Sequence, residues 1–178
     1  NNSLNLNVAL ELKSKSKGGS DIYQTDGTNS INFNSTTRVL TINGVIKILS
    51  LTISEDITYL GKGTFYVTGT TLINGHVLPG GATFPTTDRL GVVSTGNMTF
   101  PSSSQKLLTG AYYCEQTITS SKQTELAGSI VCRNFNIIAN VPSLWQLPSL
   151  VDNLPPGMPG KDSVWVFTKK TWKDISLQ

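Results

Sequence analysis

Side chains able to perform acid, base or nucleophilic chemistry are few in this sequence and lie in polar segments. The chain has 11 acidic residues and one histidine, His76, in the turn-like stretch NGHV. Glycoside cleavage needs two carboxylates at a defined separation, but the adjacent Glu55 and Asp56 would face opposite sides of a strand. A lone histidine in a turn is a poor base, and two cysteines with one distant histidine miss the spacing of a zinc site. We therefore predict neither an enzyme nor a bound metal or other cofactor.

Aromatic side chains offer another chemistry, because flat Tyr and Trp rings stack on the apolar faces of sugar rings. The structural alternative is core packing, which we expect for Trp145, as an anchor of a Pro-rich segment, and for Trp165, within a final strand. The candidates for carbohydrate binding are Tyr59, Tyr66, Tyr113 and Trp172.

The elements that must position these rings are strands. Of the 178 residues, 38% are hydrophobic and only 14% are charged, and the abundant Asn, Ser, Thr and Gly suit β-strands and turns.

The net charge of +3 is too small to indicate a nucleic-acid partner. No stretch approaches the roughly 18 apolar residues of a membrane span, so no membrane contact is expected from this segment. Two lysine clusters are interpreted as solvated faces: Lys13, Lys15 and Lys17, and Lys161, Lys169, Lys170 and Lys173.

Three segments of one structural domain follow one another along the chain. Residues 1–29 comprise an alternating strand, NNSLNLNVALEL, and a polar loop. Residues 30–140 are short β-rich runs separated by Gly, Asn or Ser, without helical periodicity. Residues 141–178 begin with five prolines in twenty positions, VPSLWQLPSLVDNLPPGMPG, and end with the strand SVWVFTKK. Because proline lacks an amide donor, this segment is expected to cover the stack from outside or seal its end.

A repeat selects one architecture among all-β folds. The stretch LTGAYYC (108–114) aligns without a gap on LAGSIVC (126–132), an offset of 18, and the same frame extends less securely to Leu90 and Leu72. Self-similarity at about 18–22 residues is typical of the coils of a parallel β-helix, or β-solenoid. We predict this fold, with right-handed coils by the general chirality of β-crossover-β connections.

The repeat frame makes specific predictions about its own residues. Tyr113 faces outward, whereas Cys114 and Cys132 stack inside, about 4.8 Å apart. That distance permits a disulfide, although stacked strands hold the Cβ atoms somewhat far apart, so free thiols and a disulfide both stay open. Glu115 and Arg133 are expected to be outward neighbours on adjacent coils, with a structural role.

A family resemblance is carried by GTFYVTGTTLINGHVLP, FPTTDRLGVV, LTGAYYCEQTITSSKQTELAGSIV and VPSLWQLPSLVDNLPPGMPG, between residues 63 and 160. These segments resemble the β-helical domains of bacterial type IV pilus-associated surface proteins. The composition is similar to that of the tāpirins, cellulose-adhering surface proteins. The resemblance implies a non-catalytic domain at the cell surface that attaches to crystalline polysaccharide. It transfers no residue-level motif, so the site residues rest on aromatic type and predicted orientation.

The functional expectation is therefore extracellular adhesion to an insoluble polysaccharide, cellulose first, with pilus or envelope proteins as further possible partners. A structural pilus-associated module that binds no carbohydrate is the alternative. DNA capture would be favoured only if the lysine clusters converged on one face.

Overall fold

A computed structural model describes residues 3–101, 105–121 and 123–159. This part of the chain is almost entirely β-structure, with one short 3-10 helix (Lys15–Lys17) and one α-helix, α1 (Pro148–Asp152). The strands are β1 (Leu4–Asn5), β2 (Ala9–Leu12), β3 (Ile22–Thr25), β4 (Ser30–Asn34), β5 (Val39–Ile48), β6 (Ser50–Ile53), β7 (Ile57–Leu60), β8 (Lys62–Val67), β9 (Thr71–Ile73), β10 (Val77–Pro79), β11 (Arg89–Ser94), β12 (Met98–Phe100), β13 (Lys106–Ser120), β14 (Thr124–Ile137) and β15 (Ser143–Gln146).

The strands stack in parallel as a β-solenoid of about five turns, which confirms the predicted fold class. The first face contains β1, β8, β11 and parts of β5, β13 and β14. The second face contains β2, β6, β9, β12 and later parts of β13 and β14. The third face contains the start of β5, then β7, β10, β15 and the starts of β13 and β14. The long strands β5, β13 and β14 therefore bend around corners of the coil.

Ladders of apolar side chains fill the interior. On the first face, Ile46, Phe65, Val92 and Tyr112 are register partners on successive coils, and each is at most 1% exposed. Burial of each side chain contributes roughly 1.5–3 kcal/mol. Since alternate strand residues point inward, each coil supplies one rung to every ladder.

Glycine marks the corner between the third and first faces. Gly44, Gly61, Gly110 and Gly128 all have positive φ there, a conformation that a Cβ atom disfavours. Gly110 and Gly128 are register partners, as are Cys114 and Cys132, which confirms the 18-residue offset in the last coils.

The earlier extension of that frame is wrong. Gly91 pairs with Ala111, a separation of 20, and Leu90 pairs with Gly63, a separation of 27. The coil that precedes Leu90 is longer because residues 80–88 form an irregular loop between β10 and β11. Leu72 lies on the second face, where it is half-buried beside Thr52 and Thr99.

The predicted boundary at residue 30 is also corrected. β1 and β2 already pair in parallel with β5 and β6, so they belong to the solenoid. β3 pairs antiparallel with β4, and β4 with β5, and this meander adds the fully buried Ile31 and Phe33 to the core.

The Pro-rich segment crosses the outside of the first face, as predicted for a cover. After β15, which still pairs with β14, residues 147–159 run back over earlier coils, and we call them the strap. Arg89 Nη1 donates to Asn153 Oδ1 at 3.0 Å, Gly157 lies against Val45, and Met158 lies against Gly91. The expected final strand, SVWVFTKK, lies outside the described residues.

Candidate functional site

Outward side chains of the first face form two neighbouring columns. One column contains Thr64, Gly91 and Ala111, and its members are buried. The strap residue Met158 lies against Gly91 at this point. The other column contains the register partners Lys47, Tyr66, Val93, Tyr113 and Val131, which we call the aromatic column, and Asn5 lies next to Lys47 beyond its end.

The aromatic column offers an apolar strip parallel to the solenoid axis. Successive strands lie about 4.8 Å apart, so the backbones of Tyr66 and Tyr113, two coils apart, are separated by about 10 Å. Both tyrosines are half-buried, Val93 between them is 4% exposed, and Val131 is 56% exposed. The strip is therefore partly exposed at the two tyrosines and most exposed at Val131.

Lys47 is the only charged member of the column. Its Nζ atom lies 5.9 Å from the centroid of the Tyr66 ring, within the range of a cation–π contact. This contact restricts the Tyr66 ring and leaves the ammonium group as a hydrogen-bond donor at one end of the strip. Rings held in this way can stack on sugar rings at a low cost in side-chain entropy.

Tyr59 does not belong to an exposed site. It is fully buried in the third face, and its hydroxyl lies 2.9 Å from Thr109 Oγ1. Burial raises the pKa of the Tyr59 hydroxyl, while the hydrogen bond with Thr109 opposes the shift. The prediction fails because β7 alternates with Ile57 and Tyr59 inward, so that Thr58 and Leu60 face outward.

Tryptophan positions also differ from the expectation. Trp145 is 53% exposed on β15 and is not a buried anchor of the strap; Leu150 and Pro155 are the buried strap residues. Trp165 and the candidate Trp172 lie outside the described residues. Tyr23, which is 68% exposed on β3, was not among the predicted site residues. Only the alternation of apolar and polar residues in that strand could have indicated its exposure.

The two cysteines stack as predicted and are free thiols. Cys114 Sγ donates to the Gly96 carbonyl oxygen at 3.1 Å. Burial raises the pKa of the Cys132 thiol, and the neighbouring Cys114 adds to the shift. These residues therefore form part of the interior ladder.

Glu115 and Arg133 do not form the expected pair. The register of β13 and β14 shifts between Cys114 and Thr117, so two residues of one coil oppose one of the next. Within the described residues, no ion pair joins Glu115 to Arg133.

The Glu55 carboxylate has a structural role. Glu55 contacts Lys17 Nζ at 2.8 Å through Oε1 and accepts the Ser14 N–H at 2.6 Å through Oε2. The bond with Lys17 and those with Ser14 lower the pKa of Glu55 to about 2.

Among residues 3–101, 105–121 and 123–159, no three His, Cys, Asp or Glu side chains are grouped to hold a metal ion. No helix in these ranges has the length and hydrophobicity needed to cross a bilayer.

Comparison with known proteins gives no relative: no family model matches the chain, and neither a curated protein nor a solved structure matches it significantly.

Proposed function

We propose that this domain is a non-catalytic adhesion module, extracellular and displayed at a cell surface, that binds insoluble polysaccharide through the aromatic column. Cellulose is the expected ligand. The observation that carries the proposal is the register of Tyr66 and Tyr113 in one partly exposed column beside Val131.

The chemistry of this strip suits a flat, neutral surface. Its members are aromatic or aliphatic except Lys47, and rigid β-strands fix their spacing along the axis. Binding by such a strip gains mainly from ring stacking and apolar burial, so added salt has little effect on it.

A structural pilus-associated module is the second candidate, and the final coil favours it. Ile137, Ile138, Val141, Leu144 and Trp145 are all exposed at this end of the solenoid. The last described coil also leaves much of β14 without a further strand on its outer side, because β15 pairs only with Glu125–Gly128. Open strand edges with apolar side chains are typical of protein contacts.

Depletion of the 178-residue protein from solution by microcrystalline cellulose, in low and high salt, tests the proposal. We expect saturable binding that persists at high salt, with no release of soluble sugar. Absence of binding by the folded protein would favour the structural module. Binding that disappears at high salt would indicate an ionic interaction instead.

A further inference from the structure

We propose that a pocket at the start of the third face binds a carboxylate-bearing sugar, a uronate. The pocket is a small surface depression with about 390 Å³ of empty space, part of which is open solvent. It is lined by Thr37, Arg38, Asp56, Thr58, His76 and Leu78. This site is separate from the aromatic column and goes beyond the adhesion proposed above.

Stacking of coils brings the polar groups of the pocket together. Thr58 N–H donates to the Arg38 carbonyl oxygen at 3.1 Å, and Ile57 N–H donates to the His76 carbonyl oxygen at 2.9 Å. Arg38, Asp56 and His76 therefore stand at the same corner on three successive chain passes, each about 4.8 Å from the next. The solenoid itself holds this arrangement.

Arg38 supplies the group that selects an anion. Its side chain is exposed, and within the described residues its guanidinium has no ion pair or hydrogen bond. The residue also has a φ of 59°, which is uncommon for a side chain larger than Asn. A planar guanidinium without a partner matches a carboxylate in two parallel hydrogen bonds.

His76 is held in one tautomer. Its Nδ1 accepts the Leu107 N–H at 2.9 Å, so the neutral ring carries its proton on Nε2. That N–H is the donor that the ring can offer to a ligand hydroxyl.

Asp56 supplies an acceptor next to this donor. Its Oδ1 accepts the His76 N–H at 2.8 Å, and Oδ2 is left to accept from a ligand. The carboxylate also acts on buried Lys106: burial lowers the pKa of Lys106, and Asp56 opposes that shift. Arg38 is the cation that lines the pocket itself.

The ligand class follows from these groups. A carboxylate satisfies Arg38, while vicinal hydroxyls satisfy the His76 donor and the Asp56 acceptor, with the threonine hydroxyls beside them. The side chain of Leu78 offers an apolar wall for the C–H face of a sugar ring. A uronate has all three features, whereas glucose lacks the carboxylate and acetate lacks the hydroxyls.

The test is an amide chemical-shift titration of the ¹⁵N-labelled 178-residue protein with glucuronate, glucose and acetate. We expect saturable shifts at Thr58, His76 and Leu78 with glucuronate, at least tenfold weaker binding of acetate, and no shifts with glucose. Arg38→Asn should weaken glucuronate binding about ten- to a hundredfold, because it removes charge-assisted hydrogen bonds. Asn tolerates positive φ, so this variant should fold.

Arg133→Asn, an exposed arginine on β14, is the matched control and should leave the affinity unchanged. A pocket that responds equally to glucose, or Arg38→Asn with wild-type affinity, would overturn the proposal. Equal affinity for acetate would overturn the assignment to a sugar. Chemical-shift changes confined to other parts of the protein would show that glucuronate does not bind in this pocket.

Discussion

At the corner between the third and first faces, the chain turns by means of a residue without a side chain. Gly110 has a φ of 121°, and a Cβ atom there would overlap the carbonyl oxygen of Leu90 on the preceding coil. Two costs therefore apply to a substitution: backbone strain and steric overlap with a neighbouring strand.

These costs can be separated by comparing two glycines. Gly110→Ala should lower the free energy of unfolding by about 3 kcal/mol or more, because strain and overlap add. Gly27→Ala should cost only about 1 kcal/mol, since Gly27 also has positive φ but has open space around its Cβ position. Urea denaturation of both variants measures the difference, and equal losses would contradict a steric role for the corner.

Whether an aromatic side chain points inward or outward was predictable only where a sequence repeat showed which residues are equivalent on successive coils. Tyr113 lies in the aligned stretch of the last coils, so its outward direction followed from the sequence. Tyr59 lies in a short strand that has no sequence repeat in a neighbouring coil, and its residues Thr, Tyr and Leu could each point inward or outward. The bulge between Cys114 and Thr117 likewise has no signal in the alignment, and it breaks the offset of 18 that would pair Glu115 with Arg133.

The strap depends on space left by a glycine of the first face. A Cβ atom on Gly91 would lie 2.8 Å from Met158 Sδ and 2.5 Å from Thr64 Oγ1. The strand can accept a side chain at this position, since Gly91 is not among the residues of positive φ. A larger residue should therefore displace the strap and shift the Thr64 side chain, while the backbone of the solenoid stays intact.

Gly91→Val should accelerate amide hydrogen exchange at Leu150 and Met158, whose N–H groups bond within the strap. The amide of Tyr112, in the core ladder, should keep its protection. Thr99→Val, on the second face, is the control and should change neither region. Unaltered exchange at Leu150 and Met158 would show that Gly91 does not seat the strap.

The segment before β3 is tied to the solenoid by Glu55, which bonds to Ser14 and Lys17. Its pKa is lowered from 4.5 to about 2, first through Lys17 and then through Ser14. A depressed carboxyl pKa stabilises the fold above the unfolded-state value, and this contribution is lost as the pH falls from about 4.5 through 2.

Glu55→Gln should therefore reduce the free energy of unfolding at pH 7, and the difference from the wild type should close near pH 2. Urea denaturation at the two pH values measures this. Glu115→Gln, at an exposed position, should match the wild type at both. A gap for Glu55→Gln that persists at pH 2 would contradict the role of its charge.

Coil boundaries were predictable near the carboxyl end and not before it. There, β14 follows β13 after a short connection, and like residues recur at an offset of 18 as far as Cys114 and Cys132. The loop at residues 80–88 lengthens one coil and breaks the frame at Leu90. β1 and β2 lie far from their partners β5 and β6 in sequence, and the intervening meander hides that pairing.

The whole molecule presents different surfaces around one rigid axis. The strap covers part of the first face, the aromatic column runs beside it, and the pocket of Arg38 and His76 lies at the start of the third face. Stacked parallel strands keep these surfaces at fixed spacings, which suits attachment to an ordered, repetitive material.

The most direct test of adhesion through the aromatic column is the adsorption isotherm on microcrystalline cellulose at high salt. We expect the folded double variant Tyr66→Ala/Tyr113→Ala to bind at least about tenfold more weakly. The control Tyr23→Ala, which removes a more exposed ring on β3, should bind like the wild type. Wild-type affinity in the double variant would show that the aromatic column does not bind cellulose.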